Sequence, residues 1–192
     1  MTRTLLVLSL SLASTSLAAE APALGQPVIP ELTLQGTTGA AFPLRQTLRQ
    51  ARYTVLVFFS AGCPCQAAHD ERLKALAGAY PAGEVQVLLV DSESGETLEH
   101  DRQEATRRGY PFPILSDPGS RLAQAVGALF ATTSVVVDAE GRMRFRGGID
   151  SARREVKAST GFYLKEALDA LLQGKAPDPA EPKVLGCYLR LG

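Results

Sequence analysis

The sequence has no excess of either charge: 20 lysines and arginines stand against 20 aspartates and glutamates. That balance offers no electrostatic footprint for nucleic acid or an anionic membrane surface. No segment reaches the ~20 consecutive apolar residues that a membrane-spanning helix needs, so no stable membrane insertion is expected. A glycine-rich phosphate loop, a serine-triad signature and internal repeats are all missing. Cysteine is scarce, with three in the chain. A purely structural disulfide framework uses cysteines in pairs, so an odd number leaves at least one free, shared or functional.

The first residues read as an export signal. Arg3 is followed by an apolar stretch from Leu5 to Leu12, and Ser16-Leu17-Ala18 supplies small residues for cleavage after Ala18. The residue directly after that point is Ala19 and not the cysteine of a lipoprotein signal, so a lipid anchor is not indicated. The expected location is the periplasm if the source is Gram-negative, and otherwise outside the cell; either compartment permits disulfides. The remaining chain, about 170 residues, fits one domain. Residues 19–30 read as an extended leader, 31–174 as the folded domain, and 175–192 as a proline-rich linker with a short tail carrying Cys187.

Within the domain, Glu31–Leu34 and Ala41–Phe42 flank a Gly-Thr-Thr-Gly turn and predict a small hairpin. Leu44–Ala51 predicts a short helix. Thr54–Phe59 is a continuous apolar, β-rich run, the pattern of a central buried strand. Cys65–Tyr80 has helical spacing, with Leu73, Leu76 and Ala77 on one face. Val85–Val90 predicts a second buried strand, Glu96–Gly109 a polar helix, and Phe112–Leu115 a short extended segment. Asp117 and Ser120 are placed to cap a helix over Arg121–Val126. Ser134–Val137 and Met143–Arg146 predict a late hairpin, and Phe162–Leu172 a last amphipathic helix. Alternating strands and helices imply a parallel core, with the hairpins adding antiparallel strands. The fold class is therefore α/β, a mixed central sheet with helices on both faces.

Cys63-Pro64-Cys65 lies where the central strand turns into the first long helix. A helix N-terminus carries unpaired N–H groups and partial positive charge, which favour a thiolate. A cysteine held there is a good nucleophile. Cys63 follows the strand and is expected to be the more exposed of the pair. A duller reading makes it a packing cysteine. Cys65 or Cys187 is available as the resolving thiol, and Cys187 read blandly is a loose tail thiol. His69 is four residues after Cys65 and shares its helix face. Its readings are a surface histidine, a partner that tunes a thiolate, or a metal ligand. In the last case Cys63, Cys65 and His69 form a soft site for Cu(I) or Zn, with Cys187 or His100 as a fourth ligand. Without that metal, no cofactor is needed, because electrons pass between sulfurs.

Val-Phe-Phe-Ser-Ala-Gly-Cys-Pro-Cys after the first core strand resembles the thioredoxin-like superfamily, in its redoxin and peroxiredoxin-related branch of the alkyl hydroperoxide reductase–thiol-specific antioxidant type. Tyr110–Pro118, Leu122-Ala123 with Gly127, and Val135–Asp138 with Gly141 extend the resemblance over most of Leu32–Leu172. It implies a thioredoxin-like fold with Cys63 as nucleophile, acting on protein or small-molecule thiols and disulfides with a thiol electron donor. Three positions depart from the family pattern. One residue, Pro64, separates the cysteines where the usual motif has two. Ser60 matches the peroxiredoxin hydroxyl position, but Leu56 stands where that motif has proline. Thr132 lies nearest the position of the family's cis-proline, which helps present substrate backbone, and a trans bond is expected there. The leading expectation is an exported thiol–disulfide oxidoreductase using Cys63 with Cys65 or Cys187. The alternatives are a thiol-dependent peroxidase and a Cu(I)- or Zn-binding module.

Overall fold

The computed structural model describes residues 22–192, so the expected signal and its cleavage point lie outside the described residues. Seven strands form one sheet: β1 (Thr33–Gly36), β2 (Ala41–Pro43), β3 (Tyr53–Phe59), β4 (Val85–Asp91), β5 (Ile114–Ser116), β6 (Ser134–Asp138) and β7 (Met143–Gly147). Their spatial order is β2-β1-β5-β4-β3-β6-β7. β3, β4 and β5 run parallel, with Val55 opposite Val87 and Val90 opposite Leu115. β6 joins β3 antiparallel on one side, and β1 joins β5 antiparallel on the other. The sheet is mixed, as the alternation of elements implies.

Parallel neighbours need a crossover. α2 (Pro64–Ala77) supplies it between β3 and β4, and α3 (Leu98–Arg108) between β4 and β5. The other helices are α1 (Leu44–Leu48), α4 (Arg121–Val126) and α5 (Tyr163–Leu172). All seven residues of β3 are buried, because helices cover both of its faces. Leu56 and Phe58 point into a core shared with Leu44 and Leu48 of α1 and Leu122 and Val126 of α4. Val55, Val57 and Phe59 alternate to the opposite core, against Leu73 and Leu76 of α2 and Leu164, Leu168 and Leu171 of α5. Full burial of each such side chain contributes about 1.5–3 kcal/mol.

The expected caps of α4 divide their work. Asp117 accepts from the N–H groups of Leu122 and Ala123 at 3.0 and 3.1 Å. Ser120 occupies the cap position but donates its hydroxyl to the Ser92 carbonyl, at 2.7 Å.

Both ends of the described chain are tied to the sheet. The leader bonds to the late hairpin through Gly25 N to Met143 O at 2.7 Å and Val28 N to Gly141 O at 3.0 Å. The linker runs beside β7, where Arg146 N donates to Ala180 O at 3.1 Å. From there the tail crosses back toward α2. No helix among the described residues is long and apolar enough to cross a membrane.

Candidate functional site

β3 ends at Phe59, and the chain turns through Ser60-Ala61-Gly62 into α2. Cys63 is the N-cap of that helix, extended at φ −83°, and its N–H donates to Ser60 O at 3.1 Å. Pro64 is the first helical residue, where its fixed φ suits the helix and its missing N–H costs nothing. Cys63 therefore stands at the positive end of the helix, the environment that favours a thiolate. Arg108 at the end of α3 fixes the turn. It donates to Ala61 O at 2.7 Å, pairs with Asp70 at 2.9 Å and lies 5.4 Å above the Phe59 ring. Tyr110 donates to the same Asp70 carboxylate at 2.5 Å.

The sulfur of Cys63 is joined to Cys187, with their Cα atoms 5.9 Å apart across 124 positions of sequence. Cys65 is free and buried. The three sulfurs lie within 4.8 Å of one another. Cys63 is not more exposed than Cys65: each is 2% exposed. The tail is the reason, since it lies over the N-terminus of α2 and closes Cys63 off from solvent. Residues two apart on a helix point roughly 200° apart around its axis, so Cys65 is less well directed at Cys63 than a sulfur arriving from above.

The tail pairs with the loop before β6. Ala131 N donates to Cys187 O at 2.8 Å and Leu189 N to Leu129 O at 3.0 Å, forming an antiparallel bridge between Phe130 and Tyr188. The Phe130 and Tyr188 rings meet at 4.4 Å between centroids. Further on, Ser94 N donates to Arg190 O at 2.7 Å, and the Arg190 guanidinium meets Glu93 at 3.4 Å and Glu96 at 3.0 Å. Glu93 also accepts from the Ser60 hydroxyl at 2.8 Å. One carboxylate thus links the turn before Cys63 to the tail beyond Cys187.

Thr132 lies on the same loop, buried, at φ +69°. That is the left-handed region, which costs a non-glycine residue roughly 1–2 kcal/mol. Its N–H donates to Phe58 O at 2.8 Å. Proline, with φ near −65° and no N–H, cannot stand in this backbone. The cis bond among the described residues is at Asp178–Pro179, and the bond before Thr132 is trans.

His69 is buried rather than on an exposed helix face. Its Nδ1 is 2.6 Å from Cys65 O and its Nε2 is 2.9 Å from the Asp150 carboxylate. Arg72 lies 3.0 Å from the other Asp150 oxygen. A carbonyl and a carboxylate both accept, so this geometry favours protonation of both ring nitrogens. Burial by itself lowers the His69 pKa, but Asp150 and the Cys65 carbonyl outweigh it and hold the value above the usual histidine range. Both His69 ring nitrogens have partners here, and neither is turned to Cys63 and Cys65. Among the described residues the one metal-ligating cluster of three is Cys63, Cys65 and Cys187. His100 is remote from it, on α3, bonded to Glu96 at 2.6 Å.

Arg108, Asp150 and Glu93 carried no motif that marks them for the site. Each acts through a partner distant in sequence, as Asp150 does on His69 from 81 positions away.

Among solved structures, the chain is similar to a hypothetical protein from Sinorhizobium meliloti, with 28% identity and a TM-score of 0.80 over 90% of this chain and 97% of that one. An uncharacterized conserved protein from Geobacillus kaustophilus gives 25% identity and 0.79 over 88% and 93%. PrxQ from Xylella fastidiosa, at 16% identity and 0.62 over 81% and 99%, shares the fold. No curated protein matches. A model of the AhpC/TSA family matches residues 25–146, from the leader to β7 and across the Cys63 turn. The chain has the thioredoxin-like fold and belongs to the AhpC/TSA family.

Proposed function

We propose that the protein is an exported thiol–disulfide oxidoreductase in which Cys63 is the nucleophile and Cys187 the resolving thiol. The observation that carries this reading is the meeting of the two sulfurs at the N-terminus of α2. The Cys63 thiolate attacks one sulfur of a substrate disulfide. A Cys63–substrate bond forms, the substrate S–S bond breaks, and the other substrate sulfur leaves as a thiolate. The Cys187 thiolate then attacks Cys63, releasing the second substrate thiolate and closing the Cys63–Cys187 bond. The substrate gains two electrons and the protein loses two, which an external thiol donor restores. No cofactor enters these steps. His69 anchors the first turn of α2 through the Cys65 carbonyl, at 2.6 Å, and so helps hold the cysteines in place. Pro64 and Thr132 shape the helix start and the facing loop. Cys65 is held in reserve beneath them.

Peroxide activation has less behind it. Leu56 is a fully buried residue of β3, and the Ser60 hydroxyl is committed to Glu93. The three close sulfurs support a second reading, a thiolate site for Cu(I) or Zn made from Cys63, Cys65 and Cys187.

Turnover with a small aromatic disulfide and a thiol donor tests the leading reading. Cys63→Ser abolishes it and Cys65→Ser retains it; with the donor left out, the reduced parent releases two aromatic thiolates per chain, whereas Cys187→Ser releases one and stops as the Cys63 mixed disulfide. Intact turnover in Cys63→Ser overturns the reading.

A further inference from the structure

Cys65 takes no part in the disulfide exchange between Cys63 and Cys187, yet its sulfur is held beside theirs. It is free, buried, and within 4.8 Å of both. Three thiolates around one metal ion, each about 2.3 Å from it, stand about 4 Å apart. A sulfur placed next to the pair but bonded to neither suits such a site.

The fold brings the three together from two directions. Cys63 caps α2 and Cys65 lies in its first turn, where the positive end of the helix offsets the negative charge of gathered thiolates. Cys187 arrives on the tail, which is docked by bonds that do not involve sulfur. Ala131 N donates to Cys187 O at 2.8 Å, Leu189 N to Leu129 O at 3.0 Å, and Arg190 pairs with Glu93 and Glu96. These contacts remain available when the Cys63–Cys187 bond is reduced, so three thiols stay together.

The donor set selects the metal. Thiolates are soft ligands and favour Cu(I). Zinc in a closed site takes four ligands in a tetrahedron. Among the described residues no fourth cysteine, histidine or carboxylate joins the group, and both His69 nitrogens are engaged elsewhere. Cys63 and Cys65 are each 2% exposed, which leaves water little access as a fourth ligand. Three-coordinate Cu(I) matches what is there.

We propose that the reduced protein binds one Cu(I) ion through Cys63, Cys65 and Cys187, and that metal and disulfide exclude each other. The inference deepens the thiolate-site reading, and its gating rests on the Cys63–Cys187 couple. Binding displaces thiol protons and moves no electron. The bound ion caps Cys63 and holds the tail closed, so the loaded chain does not attack disulfides. Closing the Cys63–Cys187 bond takes away two of the three ligands, and Cys65 alone does not retain the ion. Cys65 belongs to the metal-bound state only, which makes it the residue that separates the two functions.

The test titrates the mature protein with Cu(I), supplied as its bicinchoninate complex under nitrogen. Reduced parent, oxidised parent and reduced Cys65→Ser are compared, and loss of the chelate's colour counts the ions bound. The reduced parent is expected to take up one ion per chain, with three sulfurs around it by X-ray absorption, and the oxidised parent none. Cys65→Ser is expected to bind at least a hundredfold more weakly while still closing the Cys63–Cys187 bond with glutathione disulfide. Binding by Cys65→Ser at the parent's strength, or two sulfurs around the ion in the parent, overturns the site and leaves the couple intact. Equal binding by oxidised and reduced parent overturns the gate. If the Cys63–Cys187 bond forms in neither protein, the oxidoreductase reading fails and the gate falls with it.

Discussion

At residue 186 a single hydrogen in place of a side chain decides the path of the tail. Gly186→Ala drives a methyl into Ala131 O, and the bond from Ala131 N to Cys187 O cannot survive. Closure of Cys63–Cys187 in the reduced protein is expected to slow at least tenfold, read by quenched alkylation, with faster iodoacetamide labelling of Cys63. An unchanged closure rate contradicts the docked geometry. His69 gives a second prediction. Its cationic form is stabilised by Asp150, so its folded pKa lies above the ordinary histidine value of about 6.5. The stability it contributes is fully present below that ordinary value and is lost as pH rises through the folded pKa. His69→Gln is expected to lower the urea midpoint at pH 6 more than at pH 9; an equal loss at both pH values rules out the cation. The sequence made His69 visible by its spacing from Cys65, but not its burial, since nothing local points to Asp150.

Among the elements, β3 and β4 were legible because short, mostly apolar runs rich in valine have few places to go except a covered parallel sheet. α4 was legible from Asp117 and Gly127. The tail was not, because residues 184–191 carry no period and bond only to remote loops. The same limit hid α3's role at the site: its composition reads as a solvated polar helix, yet Arg108 is 5% exposed and holds the Cys63 turn. Arg108→Ala removes the cation from Asp70 and the donor from Ala61 O. We expect a loss of about 3–5 kcal/mol in denaturant unfolding and a shift in the reaction rate of Cys63 with small disulfides. A neutral effect on both removes Arg108 from the positioning of the site.

For the whole molecule, stability is expected to fall from mildly acid to alkaline pH. Burial, reinforced by the neighbouring Asp101, holds the Asp91 proton well above the usual carboxylate range. In the unfolded chain Asp91 ionises near its ordinary value of about 3.9. Between those values the native state binds the extra proton, so stability declines as pH rises. Asp91→Asn supplies a permanent donor toward Asp101 and is expected to raise the midpoint at pH 8 and flatten its slope with pH. A slope identical to the parent's contradicts a proton held on Asp91. The Cys63–Cys187 bond also ties 124 positions into one loop. Such a closure removes unfolded-state entropy worth up to about 5 kcal/mol. The oxidised chain is expected to melt on the order of 10 °C above the reduced one; coincident melting contradicts a bridge that spans the domain.

The central claim is that Cys63 and Cys187, not Cys65, form the working couple. Mass-spectrometric mapping of the three cysteines in metal-free mature protein, poised across a series of glutathione potentials and trapped by alkylation, tests it directly. The account predicts a reversible Cys63–Cys187 link with Cys65 recovered as a free thiol throughout. A Cys63–Cys65 link, or three free thiols at oxidising potentials, contradicts it.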